Sequence, residues 1–246
     1  NQYFLKYIFL LFKAVVQLNI YIMYWSIFML WPILKTLFYY QPMLFLKGPV
    51  DDVPVEYTPV TLSKIHNNII SAIHSCLAVI STSMYLYSYS TEWLYISSIL
   101  SFSYFTWDTY TIIIQKTSEN YPYILHHVIA LIIIQEQLLN YNRNLLISMF
   151  CIAEFSNFPI YAIYHLKKIG YTHNMPYLQL CQLLWFGFFR IVVLGFYLDD
   201  CITLIHHNLP LISLLIIYSL GVYWTLCQFK GVYAQYITRN YIKKLI

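Results

Sequence analysis

Charge is scarce in this chain. Only 10% of its 246 residues are charged, 14 Lys or Arg and 10 Asp or Glu, whereas a soluble domain spends about a quarter of its residues on charge. That shortfall excludes an ordinary water-soluble domain. The net charge of +4 is spread over loops without a basic patch, so nucleic acid is not an expected partner. Cysteine is sparse as well. Cys76, Cys151, Cys181, Cys201 and Cys227 stand apart, four of them inside apolar segments, which excludes a disulfide framework and a zinc site. No Asn-x-Ser/Thr glycosylation site, internal repeat or low-complexity tract is present. The N-terminal apolar stretch is too long for a cleavable signal and lacks a small-residue cleavage site.

What fills the chain instead is apolar: 60% of residues are hydrophobic and 20% aromatic, with a mean hydropathy of +0.59. A bilayer-crossing helix needs about 20 apolar residues. Seven stretches meet that pattern, at 15–38, 66–88, 93–115, 122–140, 144–165, 177–198 and 210–230. The expected fold is therefore all-α, a polytopic membrane protein of seven transmembrane helices. Residues 3–13, with Lys6 and Lys13, read as an interfacial helix leading into the first span. Pro122, Pro176 and Pro210 fall at span starts, where a missing N–H costs nothing. Pro159 falls inside the fifth span, so it should kink that helix and free a carbonyl near residue 155. The connection 40–64 holds four prolines with Asp51, Asp52 and Glu56 and reads as an extended surface loop.

Seven spans place the termini on opposite sides. One side collects Lys35, Lys47, Lys64, Lys116, Lys167, Lys168, Lys230, Arg239, Lys243 and Lys244; the other has Lys6, Lys13 and Arg143. The positive-inside rule makes the C-terminus cytoplasmic and the N-terminus luminal. The final Lys243-Lys244-Leu245-Ile246 has the pattern of a di-lysine retrieval signal, pointing to the endoplasmic reticulum.

Polar groups inside the spans are the functional signal. His126-His127 opens an otherwise apolar run, and His74, Asp108, Glu154 and Arg190 stand at similar depth. Counted along each helix from its cytoplasmic end, His127 lies about 8 Å in, Asp108 about 10 Å, His74 about 15 Å, Glu154 about 18 Å and Arg190 about 20 Å. Isolated charges there cost about 2.5–3.5 kcal/mol each. One shared polar cavity open to the cytoplasm is the economical arrangement. Stripes at helical spacing support it: Ser71, His74, Ser75 and Ala78; then Ser101, Tyr104, Asp108, Thr111 and Gln115; then Glu154, Asn157 and Tyr161. Tight helix packing uses the same small and hydroxylated residues, so the stripes alone mark an interior. A structural ion pair of Asp108 or Glu154 with Arg190, and a hydrogen-bonding His74, are the competing structural roles. His66, His165 and His173 are expected at the interface. Asp199-Asp200 with His206-His207 read as solvated surface, with metal ligation the lesser alternative.

These residues, in this order, resemble the TLC-domain family. The segment Asn67-Asn68-Ile69-Ile70-Ser71-Ala72-Ile73-His74-Ser75 is similar to that family's first core helix. Trp107-Asp108-Thr109, Leu125-His126-His127-Val128, Ala153-Glu154-Phe155-Ser156-Asn157 and Phe188-Phe189-Arg190 follow in family order. The resemblance covers 63–238. It implies a six-helix, barrel-like core around a lipid-accessible cavity, preceded by a segment 1–40 with the first span and a cytoplasmic loop 41–62, and followed by a tail 239–246. The family includes ceramide synthases, which pass an acyl chain from acyl-CoA to a sphingoid amine at a His-His pair. By resemblance His126 and His127 take that place. Where ceramide synthases carry a His-Asp and a second Asp, this chain has Ala153-Glu154 and Asn157, so it looks like a smaller branch and not a ceramide synthase proper.

The implied chemistry is acyl transfer. His127 would be the reactive imidazole with His126 beside it, Asp108 or Glu154 would orient it, and His74, Arg190, Asn157 and Tyr104 would contact substrate. The partners would be a membrane lipid and acyl-CoA as co-substrate, with no bound cofactor and no metal. A non-catalytic lipid-binding or lipid-sensing protein is the alternative reading. A fatty-acid elongase is a minor one, because Tyr123 stands where that family's His-x-x-His-His box begins with His.

Overall fold

The computed structural model describes residues 24, 26–37, 59–115, 121–139, 142–171, 174–205 and 208–245. The interfacial helix at 3–13, most of the loop at 41–62, and His173, His206 and His207 lie outside the described residues. The described chain is helical. A short helix, α1, spans Ser26–Leu37. It is followed by α2 (Pro59–Ser88), α3 (Thr91–Gln115), α4 (Tyr121–Leu138), α5 (Arg143–Phe155), α6 (Phe158–Lys168), α7 (Met175–Gly187), a π-helical turn (Phe188–Val193), α8 (Leu194–Leu204) and α9 (Asn208–Leu245).

Four stretches are long and apolar enough to cross a membrane by themselves: Leu62–Ser88, Arg143–Lys168, Met175–Leu204 and Asn208–Ile237. The spans expected at 93–115 and 122–140 are helices as well. Their apolarity is diluted by the polar side chains they carry into the interior, including Asp108 and the His126-His127 pair. Of the first expected span, only Ser26–Leu37 is described. Outside the bundle, Ile80, Ile113, Leu184, Phe196 and Ile212 are more than half exposed. Apolar surface of that extent suits a lipid solvent. The protein is an all-α polytopic membrane protein.

Six rods close into a ring. Around it run α2, α3, α4, α9, the α7–α8 rod and the α5–α6 rod, which returns to α2. Short connections make chain neighbours antiparallel. One end of the ring therefore carries the start of α2 and the later part of α9. The opposite end carries the ends of α2, α4 and α8 and the starts of α3, α5 and α9. At that opposite end Arg143 donates to the carbonyls of Gln137 (2.9 Å) and Leu138 (3.3 Å), capping α4. Asn142, at φ 49°, donates to Leu204 O at 3.0 Å and ties α8 to the same corner.

In lipid every backbone polar group needs a partner within the protein, and two departures from regular helix matter here. Helix α2 starts at Pro59, earlier than the expected span start at 66, because proline is well suited to a first helical turn. His66 consequently falls inside the helix, and its side chain is buried. The fifth span breaks at Ser156–Asn157, and Pro159 occupies the first turn of α6. Proline has no N–H for Phe155 O, which instead accepts from Trp185 Nε1 at 3.4 Å. The kink and the freed carbonyl both fall where the proline placed them.

Close packing of α9 depends on glycine at one point. A Cβ on Gly221 would lie 3.4 Å from Arg190 Cβ and 3.5 Å from its Cδ, so alanine just fits and anything larger collides. Gly221→Leu should push α9 off the π-helical turn and cost about 1–3 kcal/mol. Thermal unfolding of the detergent-solubilised protein measures this; an unchanged midpoint would show that the seam is loose.

Candidate functional site

The three polar stripes meet one another. Tyr104 OH donates to Ser71 Oγ at 2.7 Å, joining α3 to α2. His74 Nε2 lies 3.2 Å from Ser101 Oγ across the same interface, and its ring stacks on Tyr104 with centroids 3.9 Å apart. Ser75 Oγ donates a short hydrogen bond to Glu154 Oε2 and lies 3.3 Å from Tyr161 OH, joining α2 to α5 and α6. His74 Nδ1 is 3.9 Å from the same Glu154 oxygen. Hydroxyls that do not face these partners bond back to their own helix, as Thr106 does to Phe102 O at 2.8 Å and Thr109 to Phe105 O at 2.6 Å.

His127 and Asp108 form the second cluster. His127 Nε2 is 3.6 Å from Asp108 Oδ2, an ion-pair distance longer than a hydrogen bond. Asp108 is also approached by Tyr104 OH at 3.4 Å and Thr111 Oγ1 at 3.2 Å. The Nδ1 atoms of His126 and His127 are buried without a hydrogen-bond partner. His126 meets the edge of Trp224, with centroids 5.3 Å apart, and Tyr123 stacks on the same indole.

Arg190 belongs to a third arrangement, created by the break in the fifth span. At the break Asn157 N turns to Glu154 O (3.1 Å), leaving Ala153 O without its usual helical donor. Arg190 Nη2 supplies one at 3.0 Å and also reaches Asn157 Oδ1 at 3.1 Å, while Nε donates to Ser156 Oγ at 2.8 Å. The π-helical turn holding Arg190 widens the helix where the guanidinium must enter, a common use of such turns. The expected ion pair of Arg190 with Asp108 or Glu154 is not formed: no carboxylate oxygen lies within 4.0 Å of it among the described residues. Glu154 is engaged by α2 and Asp108 by its own helix and α4, and the arginine joins Ser156 Oγ (2.6 Å) on Ala153 O at the break.

All eight residues singled out from the sequence line one cavity of about 500 Å³: His74, Tyr104, Asp108, His126, His127, Glu154, Asn157 and Arg190. It lies in the half of the bundle that holds the start of α2. Among the lining residues that the sequence reading did not single out are four polar or aromatic ones on α7 and α9. Gln182 pairs with Gln228 at 3.0 Å, and Trp224 and Cys227 complete the α9 wall. Gly221, Trp224 and Gln228 share a helical face in the last span, and a Gln at membrane depth was the available signal. Trp31 was missed too. It is fully buried on α1, edge-on to His74 and Tyr104, and donates to Ser103 Oγ at 3.1 Å. No group of three metal-ligating side chains occurs among the described residues, and Asp199 and Asp200 are exposed.

A ring of membrane helices around an inward-facing set of His, Asp, Glu and Arg side chains defines a class: polytopic membrane proteins with a polar cavity inside the bundle. The TLC-domain family model matches residues 64–230, most of the chain. The chain belongs to the TLC-domain family. No curated protein matches it.

Proposed function

We propose that this protein transfers an acyl chain from a thioester such as acyl-CoA to a membrane lipid, with His127 as the general base. The observation that carries this reading is the His127–Asp108 pair at 3.6 Å in the wall of the cavity. A carboxylate beside one ring nitrogen favours the tautomer that leaves the other nitrogen's lone pair free, here Nδ1. In the reaction the acceptor O–H or N–H proton passes to that imidazole, and the acceptor atom bonds to the acyl carbon. The C–S bond breaks, and the departing thiolate takes the proton back. Four lysines at the cavity end of the bundle, Lys64, Lys167, Lys168 and Lys230, support a cytoplasmic opening toward a water-soluble donor. We place the protein in the endoplasmic reticulum membrane, C-terminus cytoplasmic.

Purified protein supplied with radiolabelled acyl-CoA and mixed lipids should yield an acylated lipid. No turnover with any acyl-CoA, together with an intact lipid copurifying in the cavity, would sink the enzyme reading. The alternative, lipid binding or sensing without chemistry, is favoured by one observation: Asn157 Oδ1 is committed to Arg190 at 3.1 Å, where an acid would stand in a ceramide synthase.

A further inference from the structure

Among the described residues Arg190 is the one strongly basic group lining the cavity, and it is only 2% exposed. Three of its hydrogen bonds are made, all to neutral acceptors: Ser156 Oγ, Ala153 O and Asn157 Oδ1. The Phe186 ring covers one side, 5.4 Å from the guanidinium carbon. Its third nitrogen, Nη1, is buried and has no partner. A buried cation without a counter-ion is unfavourable unless an anion completes it. Neither lining carboxylate bonds to it: Glu154 acts on it only through space, its oxygen being engaged by Ser75 and His74, and Asp108 faces His127 and Thr111.

We propose that Arg190 Nη1 receives the phosphate of a glycerophospholipid-type headgroup, so that the lipid acceptor is anionic and hydroxyl-bearing, not a sphingoid amine. This deepens the acyl-transfer reading and rests on it for the word acceptor. With Nε and Nη2 committed, Nη1 offers its N–H groups and the guanidinium its charge, a charge-assisted bond suited to a phosphate oxygen. The same cation repels an ammonium headgroup. Asn157 keeps the arginine unneutralised: an aspartate there would put a carboxylate oxygen about where Oδ1 now lies, 3.1 Å from Nη2. Gln228 accepts from Gln182 through Oε1, so its own amide N–H groups are not used in that bond and offer the cavity further donors. The phosphates of acyl-CoA are poor candidates for this site, because the pantetheine arm holds them far from the thioester while the cavity is only about 500 Å³.

The test is equilibrium binding to the full chain in nanodiscs without any acyl donor. The probes are a lysophosphatidic acid, the monoacylglycerol of the same chain, and sphingosine. The phosphate lipid should bind at least tenfold tighter than the monoacylglycerol, and sphingosine weakest. Arg190→Gln should erase the preference, while His127→Ala should keep it. Because Arg190→Gln also removes three internal hydrogen bonds, Asn157→Asp is the second variant: it keeps the arginine, supplies an internal anion, and should weaken the phosphate lipid about tenfold. Equal binding of the three lipids overturns the proposal. So does full affinity in Asn157→Asp. Displacement by inorganic phosphate with no preference among lipids also overturns it, in favour of free phosphate. Loss of turnover with the preference intact would overturn acyl transfer alone, and turnover without the preference would overturn only this assignment.

Discussion

His127→Ala should lower acyl transfer by about 10²–10⁴-fold, the usual contribution of a general base. The fold should survive the change. Asp108 keeps Thr111 Oγ1 at 3.2 Å and is 13% exposed at the cavity wall, so removing the imidazole does not strand the carboxylate. Circular dichroism and an unchanged elution volume would check that. Asp108→Asn should behave differently. The amide retains the shape but no longer holds the imidazole tautomer or stabilises its cation. It should reduce kcat while leaving KM for the donor nearly unchanged, which marks Asp108 as a positioning residue. Wild-type turnover in His127→Ala, with loss in His126→Ala, would transfer the reactive role to the neighbouring ring. Wild-type turnover in both would remove the pair from the chemistry.

Glu154→Leu carries the largest expected loss of stability, about 1–3 kcal/mol for each buried polar partner left unmatched. Glu154 is 4% exposed and joins α2 to the broken fifth span through Ser75, with His74 Nδ1 at 3.9 Å. Leucine fills similar volume but accepts nothing. Glu154→Gln separates structure from chemistry. The amide oxygen still accepts from Ser75, so the thermal midpoint should stay near wild type. If Glu154 serves only the scaffold, turnover should stay as well. If it stabilises charge in the cavity, turnover should fall with the midpoint unmoved. A midpoint drop in Glu154→Gln as large as in Glu154→Leu would show that its ionised form holds the helices together.

Much of the site was legible along the chain because membrane depth makes polar residues expensive. His74, Asp108, His127, Glu154 and Arg190 had to find company, and helical spacing linked each to neighbours on its own face. The kink at Pro159 was legible for a purely covalent reason, the missing N–H. The packing of Trp31 on His74 and Tyr104, and the walls supplied by Trp224 and Cys227, were not legible, because aromatic and thiol side chains in an apolar span look the same facing lipid or interior.

By itself the sequence determined the helical class, the scarcity of charge that demands a bilayer, and the small set of polar side chains that must share an interior. Tertiary structure alone decided who pairs with whom. Similar membrane depth and opposite charge suggested Arg190 against an acid, yet the break at Ser156–Asn157 presented it with Ala153 O, Ser156 Oγ and Asn157 Oδ1. Pairing inside a bundle depends on the rotation and approach of helices far apart in the chain, here the 3.4 Å clearance at Gly221 as much as any charge. A one-dimensional pattern holds no record of that approach.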